Sequence, residues 1–168
     1  MTYLKIPPTQ PNFHFHLVLV EPQIPPNTGN AGRLCVATQS TLHIVGQAGF
    51  SLSDKAVRRA GLDYWKHVDI KEHTDFDAFL VWFKENEPGA PFYLVESDVH
   101  GTVFGTKFPS RAALVFGRET TGLPKELLER FSDQVIGLPM FSDKIRSLNL
   151  SNAVSITLYE AIRQQLSS

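Results

Sequence analysis

The chain alternates short runs of apolar, β-favouring residues with longer segments of helical periodicity. The clearest apolar runs lie at 15–20, 41–45 and 112–116. Runs this short and this apolar are typical of parallel strands that are buried on both faces, and the segments between them supply the helical cover. We therefore predict an α/β fold, with a mostly parallel sheet and helices on both of its faces.

The same patterns define the order of the elements. We predict strands at 15–20, 41–45, 67–70, 91–95, 112–116 and 133–137, and helices at 28–39, 54–60, 75–86, 124–131 and 149–165. Residues 1–14 contain three prolines and no periodicity, which predicts a flexible N-terminal extension. Residues 15–168 are then expected to form one domain, since no linker or internal repeat interrupts them.

Composition excludes several classes of function. A single cysteine, Cys35, excludes an intrachain disulfide and a cysteine-based zinc site, and its apolar surroundings favour a buried side chain. The six histidines show no ligand spacing, so we predict no metal. No signal peptide or membrane span is visible, which makes the cytoplasm the expected location. With a net charge of -1, RNA binding would need a local basic patch or one built across a dimer.

Three polar segments follow apolar runs and carry most of the chemical information. They are Asn27-Thr-Gly-Asn-Ala-Gly-Arg33, Phe116-Gly-Arg-Glu-Thr-Thr-Gly-Leu-Pro124 and Arg146-Ser-Leu-Asn-Leu-Ser-Asn152. The first lacks the glycine spacing of a dinucleotide fold and of a P-loop. Open α/β sheets bind ligands beyond the carboxyl ends of their strands, so these three segments can converge on one site.

Taken together, the three segments resemble the motifs of the SPOUT-type RNA methyltransferases, and among these the tRNA 2′-O-methyltransferases of the wobble nucleotide. The resemblance runs from about Leu17 to Gln165, and its most specific parts are 21–30, 59–65 and 147–152. It implies a deep C-terminal trefoil knot and a homodimer that completes its site across two subunits. It also implies methyl transfer from S-adenosylmethionine to the ribose of cytidine or uridine 34 in a tRNA anticodon stem-loop. A ribosomal RNA substrate and a catalytically silent dimeric RNA-binding module are the alternatives.

The resemblance assigns catalytic roles to Arg33, Asn27, Glu119, Ser147 and Asn149. Each has a simpler structural explanation: a surface arginine, a solvated glutamate, or helix caps formed by the asparagines and the serine. For Arg33 the resemblance leaves two roles open, a general base or a clamp on phosphate. A guanidinium is effectively always protonated, so the clamp is chemically easier.

Cofactor contacts are implied at Leu94, Gly117, Leu138, Met140 and Ser147. In the family, the main chain at three of these places surrounds the adenosyl group. A glycine at 117 would let the backbone approach the cofactor closely. The apolar side chains suit an adenine held between loops.

RNA contacts are expected from Lys55, Arg58, Arg59 and Arg146. The first three cluster on one predicted short helix, and a solvated helix face is the ordinary interpretation of such a cluster. Aromatic residues that follow the cluster make an RNA-facing patch an alternative. The segment 141–145 departs from the commoner family pattern in length and sequence, so substrate contact there is expected to differ.

Overall fold

The structure is a computed structural model that describes residues 11–51, 64–97 and 101–166. Its strands are β1 (His14–Val20), β2 (Thr41–Val45), β3 (Ile70–His73), β4 (Phe92–Val95), β5 (Arg111–Phe116) and β6 (Val135–Ile136). The described α-helices are α1 (Pro25–Thr38), α2 (Phe76–Asn86), α3 (Lys125–Arg130) and α4 (Leu150–Leu166). No helix in these three stretches is long and apolar enough to cross a membrane.

The six strands form one sheet in the order β3-β2-β1-β5-β4-β6, and every pair is parallel. From β1 the chain runs outward through β2 and β3. It then crosses to the other side of the sheet, where β5 lies next to β1 and β4 and β6 lie beyond it. The change of direction falls between β1 and β5, where Leu19 pairs with Phe116. A ligand crevice is expected beyond the carboxyl ends of the strands at this point.

The sheet is covered on both faces, which confirms the predicted architecture. Alternate side chains of β1 enter different cores: Leu17 and Leu19 lie in the core that contains α1 and α4, and Val18 lies in the core that contains α2 and α3. Cys35 is buried in the first of these cores, where burial raises the pKa of its thiol. Its behaviour is therefore that of a small apolar residue rather than a nucleophile.

Two predicted elements were placed wrongly, and one lies outside the described residues. Residues 65–67 form a 3₁₀ turn, and the strand predicted at 67–70 lies at Ile70–His73, where it pairs with β2. The first helix begins at Pro25 rather than at residue 28, because proline suits a first helical turn, whose N–H groups have no helical partner. The helix predicted at 54–60 falls in the part of the chain that is not described.

A row of histidines crosses the sheet beneath α2. His16 on β1 hydrogen bonds His43 on β2 at 3.0 Å, and His43 hydrogen bonds His73 on β3 at 2.9 Å. At the other end, Nε2 of His16 lies 3.0 Å from Oε1 of Glu87, and Arg111 forms an ion pair with the same carboxylate. The carboxylate accepts, so Nε2 of His16 must donate. The whole row is then satisfied when each imidazole is neutral and carries its proton on Nε2.

Burial keeps this row uncharged. Desolvation, reinforced by the neighbouring His14, lowers the pKa of His16 to about 4. Desolvation and the adjacent His16 and His73 lower the pKa of His43 to about 2. Glu87 does not reverse this effect, because Arg111 already supplies its counter-charge.

We predict that acid destabilises the fold through this row. Below the ordinary pKa of 6.5 the unfolded histidines bind protons, whereas native His16 binds one only near pH 4. Stability should therefore fall as the pH drops through this window, by about 3 kcal/mol for His16 alone at 1.36 kcal/mol per pKa unit. Thermal unfolding from pH 7 to 4.5 measures the slope. His43→Asn should flatten the slope, the exposed-site control His67→Asn should not, and equal slopes in all three proteins would contradict the prediction.

Candidate active site

Three loops at the carboxyl ends of strands converge on a cavity of about 480 Å³. The first turn of α4 closes its side. The walls come from the segments after β4, β5 and β6 and from the entry to α4: Val95, Glu96, Ser97, Phe116, Gly117, Arg118, Glu119, Thr120, Thr121, Gly122, Leu138, Met140, Arg146, Ser147, Leu148, Leu150 and Ala153. A cavity of this size is in the range that small-molecule ligands and cofactors occupy.

The loop after β5 is a tight hairpin that presents Glu119 near its tip. Arg118 and Gly122 exchange two backbone hydrogen bonds, at 3.1 and 2.9 Å. A Cβ atom on Gly117 would lie 2.1 Å from the carbonyl carbon of Gly122, and Gly122 itself has a φ of +70°. Gly117 was predicted from the sequence as a cofactor contact. It also has a structural role, because the hairpin can close only if residue 117 has no side chain.

The Glu119 carboxylate joins this hairpin to the start of α1. It accepts hydrogen bonds from the backbone N–H groups of Gln23 at 2.9 Å and Ile24 at 3.1 Å, and from Nδ2 of Asn27 at 3.1 Å. These groups lie at the N-terminal end of the helix, where a negative charge is also favoured by the helix dipole. The interpretation of Glu119 as an idle solvated side chain is therefore wrong.

Asn27 and Asn149 extend the connection to the third motif. Asn149 donates from Nδ2 to Oδ1 of Asn27 at 3.2 Å. Asn27 is buried and lies inside α1, so the alternative that it caps the helix is wrong; the cap position is Ile24. Asn149 does serve as a cap, because its Oδ1 accepts the backbone N–H of Ser151 at 2.9 Å. The three motifs are thus linked through Glu119, Asn27 and Asn149.

Sequence reasoning missed further contacts at the same junction. Arg118 forms an ion pair with Glu21, and Oγ1 of Thr120 donates to the side chain of Gln23 at 2.8 Å. Glu21 has a positive φ of 48°, which is unusual for a residue other than glycine. The opposite charges that follow β1 and β5 in the sequence could have predicted this ion pair, but only if the two strands were already known to be neighbours.

Four of the five residues predicted to contact the cofactor line the cavity. Gly117, Leu138, Met140 and Ser147 contribute to its walls. Leu94 is not among the lining residues; its side chain is fully buried in the core shared with α2, and the next three residues line the cavity instead. Val95, Glu96 and Ser97 are therefore the residues after β4 that border the cavity.

Arg33 is not among the residues that line the cavity. It lies about 9 Å along the helix and about 240° around it from Asn27, since the two residues are six positions apart on an α-helix. Its guanidinium stands 5.4 Å from the centre of the Tyr64 ring, and the Tyr64 hydroxyl donates to the carbonyl of Gly29 at 2.8 Å. The arginine is exposed and lies on a different side of α1 from Asn27, the residue that contacts Glu119 and Asn149.

The predicted RNA contacts divide into two sets. Arg146 lines the cavity and is exposed. Lys55, Arg58 and Arg59 lie outside the described residues. Within residues 11–51, 64–97 and 101–166, no group of histidine, cysteine and acidic side chains is arranged to hold a metal ion.

Comparison with known proteins identifies the class to which this fold and site belong. The model of the SpoU rRNA methylase family matches residues 14–159. The chain is therefore a member of that family of methyltransferases. A tRNA (cytidine(34)-2′-O)-methyltransferase of Burkholderia cenocepacia is 46% identical over 151 residues, which cover 89% of this chain and 95% of the relative.

Solved structures agree with this assignment. A structure described as giving insight into 2′-OH methylation of C/U34 on tRNA superimposes with a TM-score of 0.85 and 40% identity, and covers 94% of this chain and 99% of its own. The SpoU methyltransferase AviRb from Streptomyces viridochromogenes, solved with the cofactor S-adenosylmethionine, gives a TM-score of 0.79 at 27% identity. That match covers 96% of this chain and 64% of AviRb.

We predict that Glu119→Gln weakens the junction between the motifs. One amide NH₂ would replace an oxygen that accepts from Gln23, Ile24 or Asn27, and an NH₂ group cannot accept. The free energy of unfolding should fall by about 1 kcal/mol, as measured by urea denaturation.

The matched control is Glu129→Gln, which removes an exposed ion pair with Lys125. It should change the free energy of unfolding by no more than a few tenths of a kcal/mol, about the value of such surface pairs. Equal effects of the two substitutions would contradict the role assigned to the Glu119 carboxylate.

Proposed function

We propose that this protein methylates the ribose 2′-hydroxyl of nucleotide 34 in tRNA, with S-adenosylmethionine as the methyl donor. The observation that supports this most is the hydrogen-bonded connection of Glu119, Asn27 and Asn149, which links the first motif to the two motifs that line the cavity. Relatives that are 43–46% identical over most of the chain carry the name tRNA (cytidine(34)-2′-O)-methyltransferase.

The cavity fits the cofactor by size and chemistry. Its volume of about 480 Å³ suits a nucleoside with an amino-acid tail, and its lining combines apolar residues such as Leu138 and Met140 with polar and charged ones such as Ser147 and Arg146. We assign the adenine to Leu138 and Met140, and the closest approach of the backbone to Gly117. S-adenosylmethionine supplies an already activated methyl group, so the protein has little covalent chemistry to perform.

What remains for the protein is to hold the ribose hydroxyl in line with the methyl group and to assist the departure of its proton. Effective positioning of this kind contributes a large part of the rate enhancement in such a two-substrate reaction. The Glu119 carboxylate is engaged with three donors, so we assign it to positioning. We assign Arg33 to clamping an RNA phosphate beside the reacting hydroxyl, where a planar fork of donors is well suited.

We propose a homodimer, because Arg33 does not line the cavity of its own chain. Arg33 of the partner subunit would then complete each site. The outward face of α4 offers apolar surface for an interface: Ile156 is 39% exposed and Tyr159 is 52% exposed, one turn apart on the helix. Each site would draw its cofactor cavity from one subunit and its phosphate clamp from the other.

Residues 15–168 form a single catalytic domain, with a C-terminal trefoil knot in the region around β6 and the entry to α4. The enzyme works in the cytoplasm, where tRNA is the available substrate. The N-terminal residues 1–14 are assigned no catalytic part.

A second candidate substrate is ribosomal RNA, because the family description names rRNA methylation. One experiment separates the two. Purified protein, S-adenosylmethionine and unmodified tRNA transcripts are incubated, and the nucleosides are mapped by mass spectrometry. We expect one 2′-O-methyl group at nucleotide 34 and none on a transcript with 2′-deoxyribose at that position. Methylation of ribosomal RNA alone would favour the second candidate, and no methylation of either RNA would contradict both.

We predict that Arg33→Ala lowers kcat by several orders of magnitude and leaves the Kd for S-adenosylmethionine nearly unchanged. The side chain is exposed, so its loss opens no cavity in the core, and alanine favours the helix. Arg33→Lys should restore little activity, because an ammonium group cannot form the bidentate contact. Calorimetry and steady-state kinetics make the two measurements; a normal kcat in Arg33→Ala would contradict the role.

Mixing two inactive variants tests whether the site is shared between subunits. Arg33→Ala and Asn149→Ala are mixed, unfolded and refolded together. If Arg33 acts across the dimer, each heterodimer contains one intact site, and random assembly restores about a quarter of the wild-type sites. If Arg33 acts within its own chain, every site in the mixture is damaged and no activity returns. That second outcome would contradict the shared site.

A further inference from the structure

One aromatic side chain that follows a cavity-lining residue is almost fully exposed among the described residues. Phe141 is 98% exposed, whereas the other exposed large apolar residues of the described chain range from 39% to 62%. It follows Met140, which lines the cavity, and the chain returns to the cavity wall at Arg146. The exposed segment 141–145 therefore begins and ends beside residues of the cavity wall.

We propose that Phe141 stacks on an unpaired base of the RNA substrate. The inference rests on the proposed function, because it takes RNA as the ligand that approaches this cavity. An aromatic ring in contact with water over nearly its whole surface gains from any flat apolar partner. Every nucleobase has such a face once it leaves the helical stack.

The charges around Phe141 favour RNA over a second protein surface. Lys144 lies on the same segment, Arg146 directly follows the segment, and both can approach phosphates, while Asp143 pairs with Lys144 at 3.6 Å. The side chains of Asp143 and Lys144 are 88% and 86% exposed. The buried centres of protein interfaces are depleted in charged residues such as lysine and aspartate. An aromatic ring bordered by exposed cations is instead the usual composition of a surface that binds single-stranded RNA.

The geometry also restricts the form of the RNA. Bases within an A-form duplex are stacked on their neighbours and offer no free face to a side chain. The substrate must therefore present an unpaired loop at the cavity mouth. This requirement agrees with an anticodon loop and makes Phe141 a residue that positions the substrate rather than one that touches the reacting atoms.

The test measures RNA binding apart from turnover. The Kd of the dimeric protein for an anticodon stem-loop RNA is determined with S-adenosylhomocysteine present. Phe141→Ala should raise this Kd about tenfold, the usual loss for one stacked base. Phe141→Trp should retain the affinity and add an indole emission that RNA quenches. The control Phe104→Ala removes another exposed phenylalanine, near the segment that contacts the last turn of α4, and should have no effect.

A series of RNAs with one abasic position each identifies the stacked base. At a single loop position the abasic RNA should bind the wild type and Phe141→Ala equally well, because the partner of the ring is already missing.

The proposal would be overturned if the wild type and Phe141→Ala differed in Kd by the same factor at every abasic position. An unchanged Kd in Phe141→Ala would overturn it as well. A weaker affinity for S-adenosylhomocysteine without RNA would assign Phe141 to the cofactor, and a loss of the dimer in light scattering would assign it to the partner subunit. Both results would overturn the proposal while methylation by the wild type still supported the proposed function.

Discussion

The carboxylate of Glu119 is the interaction on which the assembly of the site depends. Its hydrogen bonds reach two backbone N–H groups before α1 and the side chain of Asn27, so one residue after β5 fixes the exit from β1. Asn27 then orients Asn149, which in turn caps α4. The loops of neighbouring strands and the last helix are thereby held in one arrangement around the cavity before any ligand binds. Such prior organisation is what a positioning enzyme requires.

The same junction explains why the hairpin at 117–122 tolerates little change. Gly117 leaves no room for a side chain because the return strand of the hairpin passes directly over it. The ion pair between Arg118 and Glu21 gives a second connection to the end of β1. The motif residues of this hairpin therefore stabilise the fold as well as border the cavity. Variants at these positions need a measurement of stability as well as one of activity.

The sequence predicted the sheet and its two covered faces, because these follow from local apolar patterns. Four of the five residues that it assigned to the cofactor line the cavity. Prediction failed where the outcome depended on distant partners. The strand near residue 70 was misplaced because its register is set by pairing with β2, which no local pattern encodes. The histidine row could not be predicted from the sequence, because His16, His43 and His73 become neighbours only in the folded sheet. The position of Arg33 outside the cavity could not be predicted either, because it depends on the direction in which each side chain leaves α1.

A crystal structure with S-adenosylhomocysteine and an anticodon stem-loop would test the account most directly. We expect the adenine against Leu138 and Met140, the ribose of nucleotide 34 at the mouth of the same cavity, and Arg33 of the partner subunit on the adjoining phosphate. A cofactor bound elsewhere on the sheet, or an Arg33 remote from the RNA in both subunits, would contradict the central claim that three distant motifs and a second chain build one methyl-transfer site.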